Sequence, residues 1–205
     1  MKHLQFALAL IFFAAPALQA GSSTWNLNPV SVDWNTVANW TPATVPNGPE
    51  DVATLNVSAT TEVTFSAATQ VNAIVFSAGA SPFTITSGGL FHQLTISGAG
   101  VTNDSGITQH FVSDNYGGIF FSGSATAGSN TVFTNLGSTA GNPEAGVTTF
   151  DDRADAGQAT FINNPAEVVG FHAGQMAFFD HSSAASGTFI CNGGAIPHAF
   201  AAALY

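Results

Sequence analysis

The sequence predicts an all-β fold, a parallel solenoid, from its repeats and its composition. Phe121, Phe150 and Phe179 are equally spaced along the chain, and each opens a segment with a polar run, a small step, a Thr-Phe or Val-Phe pair and an asparagine. Such a regular period is typical of units that bury their apolar faces by stacking on copies of themselves. Thr, Val, Ile and Phe are abundant and favour strands, whereas long polar helix formers are scarce.

The first element, residues 1–20 (MKHLQFALALIFFAAPALQA), has the pattern of a secretory signal peptide. Lys2 and His3 form a basic start, an apolar stretch follows, and small residues precede a predicted cleavage after Ala20, with Ala17 as the alternative. The apolar run is too short to span a bilayer, and no later stretch is long and apolar enough to do so. We therefore expect an exported protein without a membrane span, secreted or held on a bacterial cell surface.

Charge narrows the possible partners. The chain has two Lys or Arg against twelve Asp or Glu, and removal of residues 1–20 leaves Arg153 as the one remaining base of this kind. A surface that follows phosphates needs several such residues, so no nucleic-acid partner is expected. Attachment to anionic membranes is disfavoured for the same reason.

Residues 21–56 are the predicted N-terminal cap, because a solenoid needs an atypical first unit to cover its open end. The three tryptophans, Trp25, Trp34 and Trp40, all fall in this segment. Flat aromatic faces can dock on sugar rings, so these residues are the candidate carbohydrate-binding site. The favoured interpretation is that they are buried anchors, because a small cap needs large apolar side chains.

Residues 57–193 are the predicted solenoid, and residues 194–205 are its C-terminal tail. Alternating apolar residues up to 112 predict coils of about twenty residues, with Phe65 one coil before Ile85. From position 117 the coil lengthens to the spacing that separates Phe121 from Phe150. Equivalent side chains should lie about 4.8 Å apart, which predicts a second phenylalanine ladder and a ladder of asparagines, although the asparagines also fit ordinary turns. The two ladders are Phe133, Phe161 and Phe189, and Asn135, Asn163 and Asn192.

Three segments resemble a known family: the opening ANW…VPNGPEDVATLN, the stretch SGAGVTNDSGITQHF (97–111) and the repeated AG-x-x-T-F-x-N segments. They are similar to autotransporter-associated β-strand repeat proteins and related secreted bacterial parallel β-helix proteins, over nearly all of 21–193. The resemblance implies a right-handed parallel β-helix that is exported, usually within a surface or extracellular protein, with no catalytic residues assigned. Members are usually much longer than this chain and finish in an anchoring or sorting segment.

An enzyme is the least favoured interpretation. Some β-helix proteins cleave uronate polymers with several Asp residues, and Asp151, Asp152 and His172 are the available candidates. Such enzymes also need bases to hold the substrate carboxylates, and Arg153 alone is present. Asp151, Asp152 and Asp155 could gather calcium, but a solvated turn is the simpler interpretation. We expect no catalysis, no metal and no cofactor.

The sequence therefore favours an exported structural or adhesive β-solenoid, with a surface polysaccharide or a second copy of itself as partner. The alternatives are a carbohydrate-binding module and a β-helix polysaccharide hydrolase or lyase. Cys191 is the single cysteine, so no internal disulfide forms, and we expect it to be a small apolar residue of the last strand. The C-terminal coil should associate end to end through its unpaired strand edge, unless residues 195–205 fold over it as a short helix.

Overall fold

A computed structural model describes residues 21–89, 92–194 and 203–204. The predicted signal peptide and most of the C-terminal tail lie outside this part of the chain. Within it, the one helix is a 3-10 turn, Val37–Asn39. The strands are β1 Ser23–Trp25, β2 Trp40–Thr41, β3 Gly48–Leu55, β4 Glu62–Thr64, β5 Thr69–Phe76, β6 Thr84–Gly88, β7 Leu94–Asn103, β8 Gln109–Asp114, β9 Gly118–Phe121, β10 Thr131–Asn135, β11 Val147–Phe150, β12 Thr160–Asn163, β13 Gln175–Phe178, β14 Thr188–Cys191 and β15 Ala203–Leu204.

The strands form two sheets that the chain visits in turn, which makes a parallel β-solenoid of about six turns. Sheet A has the order β15-β13-β11-β9-β7-β5-β3-β1-β2, and sheet B has the order β14-β12-β10-β8-β6-β4. Every pair is parallel except β1 with β2. A third, narrow face consists of isolated parallel bridges that join Gly100, Thr126, Asp155 and Ser183. The predicted fold class is confirmed.

The core is built from two columns of phenylalanine rings. In sheet B, the predicted ladder of Phe133, Phe161 and Phe189 is confirmed, with ring centroids 5.0 and 5.5 Å apart. Phe111 extends it, 4.6 Å from Phe133. The sheet A column meets this ladder edge to face, as Phe150 does with Phe161 at 5.7 Å. The rings are stacked along the axis and T-shaped across it, and both arrangements are favourable for aromatic pairs.

Phe179 does not belong to the sheet A column, so that part of the prediction is wrong. Strand β13 places Phe178 opposite Phe150, with the rings stacked at 5.0 Å, and Phe179 is 53% exposed. The stretch from Phe121 to Phe133 holds one residue more than the stretch from Phe150 to Phe161, so the coil that follows Phe150 is shorter by that residue. Because strand side chains alternate, a shift of one residue exchanges the inward and outward faces.

The predicted spacing of the early coils is also wrong. Val63 lies opposite Ile85, and Ile85 lies opposite Phe111, so the first of these coils is slightly longer than predicted and the second is longer still. Phe65 follows the end of β4 and packs against the ring of Trp34 at 5.3 Å. Alternation identified the buried faces, but it does not fix which residue of one coil meets which residue of the next.

A polar column runs along the inner face at the end of sheet B. Asn135 and Asn163 are opposite each other, and the side-chain amide of Asn135 donates to the side-chain oxygen of Asn163 at 2.7 Å. This part of the predicted asparagine ladder is confirmed. The third predicted member is wrong, because Cys191 occupies that position and Asn192 donates to Asn164 at 2.9 Å. Cys191 is exposed at this position of β14.

The predicted cap contributes three strands to sheet A. Strand β3 pairs in parallel with β5, where Leu55 lies opposite Phe76, and β1 pairs in parallel with β3. The atypical part is the segment between β1 and β3, which holds the 3-10 turn and β2, the strand antiparallel to β1. Its chain also bonds to the edge of sheet B, where the Trp34 amide donates to the Thr64 carbonyl at 2.8 Å.

Candidate functional site

The three tryptophans are core residues and offer no sugar-binding face. Trp25, Trp34 and Trp40 are at most 1% exposed, and the Trp40 ring lies steeply inclined to the other two at 5.1 and 4.8 Å. Each indole N–H donates to a backbone carbonyl, those of Thr60, Pro46 and Trp34 in turn. The candidate carbohydrate platform on these residues is therefore wrong, and the favoured interpretation as buried anchors of the cap agrees with their burial, because a small unit needs large buried rings and can satisfy each indole N–H internally.

Exposed acidic side chains of the solenoid cluster in the turns where the chain leaves sheet A. In three successive coils this turn contains a residue with a left-handed backbone: Gly123 with φ 65°, Asp152 with φ 55° and Asp180 with φ 52°. Aspartate tolerates this region better than most residues. The turn thus repeats in these three coils, and the last two bring acidic side chains to one corner.

Three carboxylates approach each other at this corner. Oxygens of Asp151, Asp152 and Asp180 lie within 4.8 Å of one another, and all three residues are exposed. An Asp152 oxygen also accepts the Gly123 N–H at 2.9 Å. Asp180 comes from the following coil, which sequence reasoning missed because finding it requires the register between coils rather than a local motif.

Asp155 does not join this group, so the three residues named as possible calcium ligands, Asp151, Asp152 and Asp155, do not meet at one place. Its carboxylate accepts the Thr126 hydroxyl and the Gly157 N–H, both at 2.8 Å. These bonds hold the narrow third face, where Asp155 bridges to Thr126 and Ser183. Asp155 is therefore a structural residue of the turn.

The acidic corner borders a shallow groove of about 430 Å³. Arg153, the single Lys or Arg among the described residues, lies beside His181 in the groove wall. The full lining is Ser97, Gly123, Ser124, Asp152, Arg153, Asp180 and His181. These residues supply both hydrogen-bond donors and acceptors, and they include acidic and basic side chains. Such a lining suits a hydroxyl-rich ligand.

His172 lies at a different edge of the solenoid. Its Nε2 is 3.9 Å from Glu144 Oε2, and these residues stand in the loops that enter β13 and β11. Asp151 follows the end of β11, so the length of a four-residue strand, about 13 Å, separates the two positions. The structure does not bring His172 to Asp151 and Asp152, and the histidine beside Asp152 is His181 instead.

Comparison with known proteins gives no match: no protein-family model, no curated protein and no solved structure is significantly similar to the chain. Among the described residues, no helix has the length and apolarity needed to cross a membrane. The fold and the exposed groups are therefore the basis for any functional conclusion.

Proposed function

We propose that this chain is an exported structural or adhesive β-solenoid that acts through its length and surface and has no catalytic activity. The regular stack of about six turns carries the proposal. The catalytic set suggested by the sequence is not assembled, because Asp151 and Asp152 stand at the opposite end of the sheet A strands from His172, and acid and base catalysis needs both groups within reach of one bond. The residues that do meet, Asp151, Asp152 and Asp180, are exposed groups of the turns at one corner.

The interior supports the same interpretation. The phenylalanine columns fill the solenoid from β8 to β14, and every buried side-chain nitrogen or oxygen of the described residues has a hydrogen-bond partner. A filled interior of this kind suits a protein that acts through its length and surface. The signal-like segment 1–20 and the resemblance to secreted β-strand repeat proteins support export, to the outside of the cell or to its surface.

Fractionation of a bacterial host tests the export and the lack of catalysis together. We expect the chain outside the cytoplasm, with a mature N-terminus at Gly21, and we expect a variant lacking residues 2–20 to stay inside. The exported protein should release no reducing sugar from uronate or neutral polysaccharides. Retention of the full chain in the cytoplasm contradicts export. Sugar release that Asp151→Asn with Asp152→Asn abolishes contradicts the structural assignment.

Carbohydrate binding is the second candidate, and the groove beside Asp152 and Arg153 favours it in place of the tryptophans. Affinity electrophoresis in gels that contain neutral or acidic polysaccharide measures it directly. If the groove binds a polysaccharide, Arg153→Ala should remove the retardation and Glu62→Gln, an exposed change on β4, should leave it intact. Equal retardation of all three proteins in every gel, relative to gels without polysaccharide, excludes this candidate.

A further inference from the structure

We infer that two copies of this chain join tail to tail, by antiparallel pairing of β14 with β14 of the second copy. This deepens the structural role proposed above by naming the partner and the contact, and it rests on that proposed function. Its support is the exposed edge of β14, the closed N-terminal end of the described solenoid and the absence of charge on the strand.

Strand β14 is the outermost strand of sheet B, and its columns are incomplete. One coil earlier, Phe161 and Asn163 are 1% and 3% exposed. Their successors are less covered: Phe189 is half-buried and Cys191 is exposed. Outward-facing Ile190 is 41% exposed. One more strand on this edge would extend both columns.

The backbone of β14 also has hydrogen-bonding groups that face away from β12. Its Thr188 N–H donates to Ala159 and the following Asn192 N–H donates to Asn163, both at 2.9 Å, toward β12. Because directions alternate along a strand, the N–H groups of Phe189 and Cys191 point toward the open edge. Such an edge is a template for pairing with another chain.

The described chain next appears in sheet A, where Ala203 pairs in register with Gln175. The exposure of Ile190 and Cys191 therefore marks β14 as an accessible edge of sheet B.

The N-terminal end cannot offer an equivalent edge. At sheet B the cap already bonds to β4, where the Thr64 N–H donates to the Val32 carbonyl at 2.9 Å. At sheet A the outermost strand is β2, only two residues long and antiparallel to β1. Head-to-tail growth would need a matching edge at each end, so the C-terminal edge meets its own copy.

The strand suits self-pairing because its residues, Thr188 to Cys191, are all uncharged. A two-fold axis makes the strands antiparallel, and directly opposite residues then lie on the same face. Centring the pair on Ile190 puts Phe189 across from the partner's Cys191, both inward. This register also pairs the N–H groups of Phe189 and Cys191, which point toward the open edge of the sheet. The Asp and Glu residues and Arg153 all lie elsewhere on each chain, so the two chains repel each other and salt should strengthen the association.

Sedimentation of the exported protein at tens of micromolar, with a reductant to exclude a Cys191 disulfide, tests the inference. We expect twice the mass of one chain, falling to a single mass for Ile190→Lys, which sets two ammonium groups face to face. The matched control is Thr134→Lys, the same outward column two coils earlier in the ladder, which should stay dimeric. Hydrogen exchange gives a second readout: the Phe189 and Cys191 amides should be more protected at high concentration than at low.

A single-chain mass in the wild-type protein would overturn the inference, as would a dimer that Ile190→Lys leaves intact. Species that keep growing with concentration would show head-to-tail polymers and also overturn it. If Ile190→Lys fails to fold by circular dichroism, the concentration dependence of exchange in the wild type decides. If the protein does not dimerise, the proposed export and lack of catalysis still stand or fall separately. Fractionation and sugar release test them, and neither assay depends on dimerisation.

Discussion

The side-chain amide of Asn135 donates to the side-chain oxygen of Asn163 on the next coil, over 2.7 Å and inside the solenoid. The Asn135 oxygen in turn accepts the hydroxyl of Thr148, also at 2.7 Å. Asn135 is fully buried. These two bonds connect sheet B to the following coil and to β11 of sheet A, so a single buried amide fixes the relative positions of three strands.

Asn135→Ala should destabilise the protein by about 1–3 kcal/mol, because it leaves the buried Thr148 hydroxyl without its acceptor and takes away the donor to Asn163. Urea unfolding followed by circular dichroism measures the change. The control is Asn192→Ala, which removes a similar amide pair at the surface and should cost less than about 0.5 kcal/mol. Equal losses of unfolding free energy in the two variants would show that the buried amide pair stabilises the protein no more than the exposed one.

A glycine precedes successive strands of sheet A, and each packs against the backbone of sheet B. A Cβ on Gly146 would overlap the Ser113 carbonyl, and one on Gly174 would overlap the Asn135 carbonyl. We expect Gly146→Ala to cost about 1–3 kcal/mol or more, as overpacking does. Gly141→Ala in the same loop meets nothing within 4 Å and serves as control. Thermal melts of the two variants should differ clearly, and coincident melts would contradict the close approach.

The neighbouring phenylalanines at the end of β13 test the register that the sequence mispredicts. Phe178→Ala removes a ring stacked on Phe150 and, since the site is partly open, should cost about 2–3 kcal/mol, below the full core value. Phe179→Ala removes a ring that is 53% exposed and should cost less than about 0.5 kcal/mol. Denaturant midpoints compare the variants directly. A larger loss for Phe179→Ala would restore the column first predicted for it.

The sequence predicts the fold because its period and its alternation report directly on stacking. Phe133, Phe161 and Phe189 repeat at equal spacing and sit in equivalent positions. Phe179 is mispredicted because one residue inserted between Phe121 and Phe133 changes the coil length, and a Phe-Phe pair lets either ring be the inward one. Register depends on turn lengths that no side-chain pattern encodes.

The candidate site is harder to predict than the core. Asp180 joins Asp151 and Asp152 only through stacking, and His181 replaces His172 beside them for the same reason. The segment that holds the tryptophans is predictable as a cap, but their burial depends on how the chain crosses the end of the solenoid. Acidic turns recur from coil to coil, but which exposed side chains become neighbours depends on a register known only from the structure.

Asn39 is the polar centre of the cap. It is fully buried, and its side-chain oxygen accepts the N–H groups of Val30 and Ser31 at 2.8 and 3.1 Å. Its amide donates to the Asp33 carbonyl at 2.7 Å and to the Ser31 hydroxyl at 2.9 Å. One side chain therefore holds the loop that precedes the 3-10 turn against the turn itself.

Asn39→Ala should cost at least about 2 kcal/mol, because several of these partners are left without a bond in a part-buried loop. Tryptophan fluorescence is the measurement, since all three tryptophans lie in this end of the chain and Trp40 is the next residue. We expect the fluorescence transition to move to lower urea. Asn28→Ala is the control, since Asn28 is exposed in the same loop and its loss should leave the transition in place.

A solenoid is stabilised by contacts between neighbouring coils, so the fluorescence transition of Asn39→Ala should also precede the loss of β-sheet signal. Simultaneous loss of both signals would show that the cap and the ladder unfold as one unit. An unchanged urea midpoint of the fluorescence transition would show that the Asn39 side chain does not stabilise the cap.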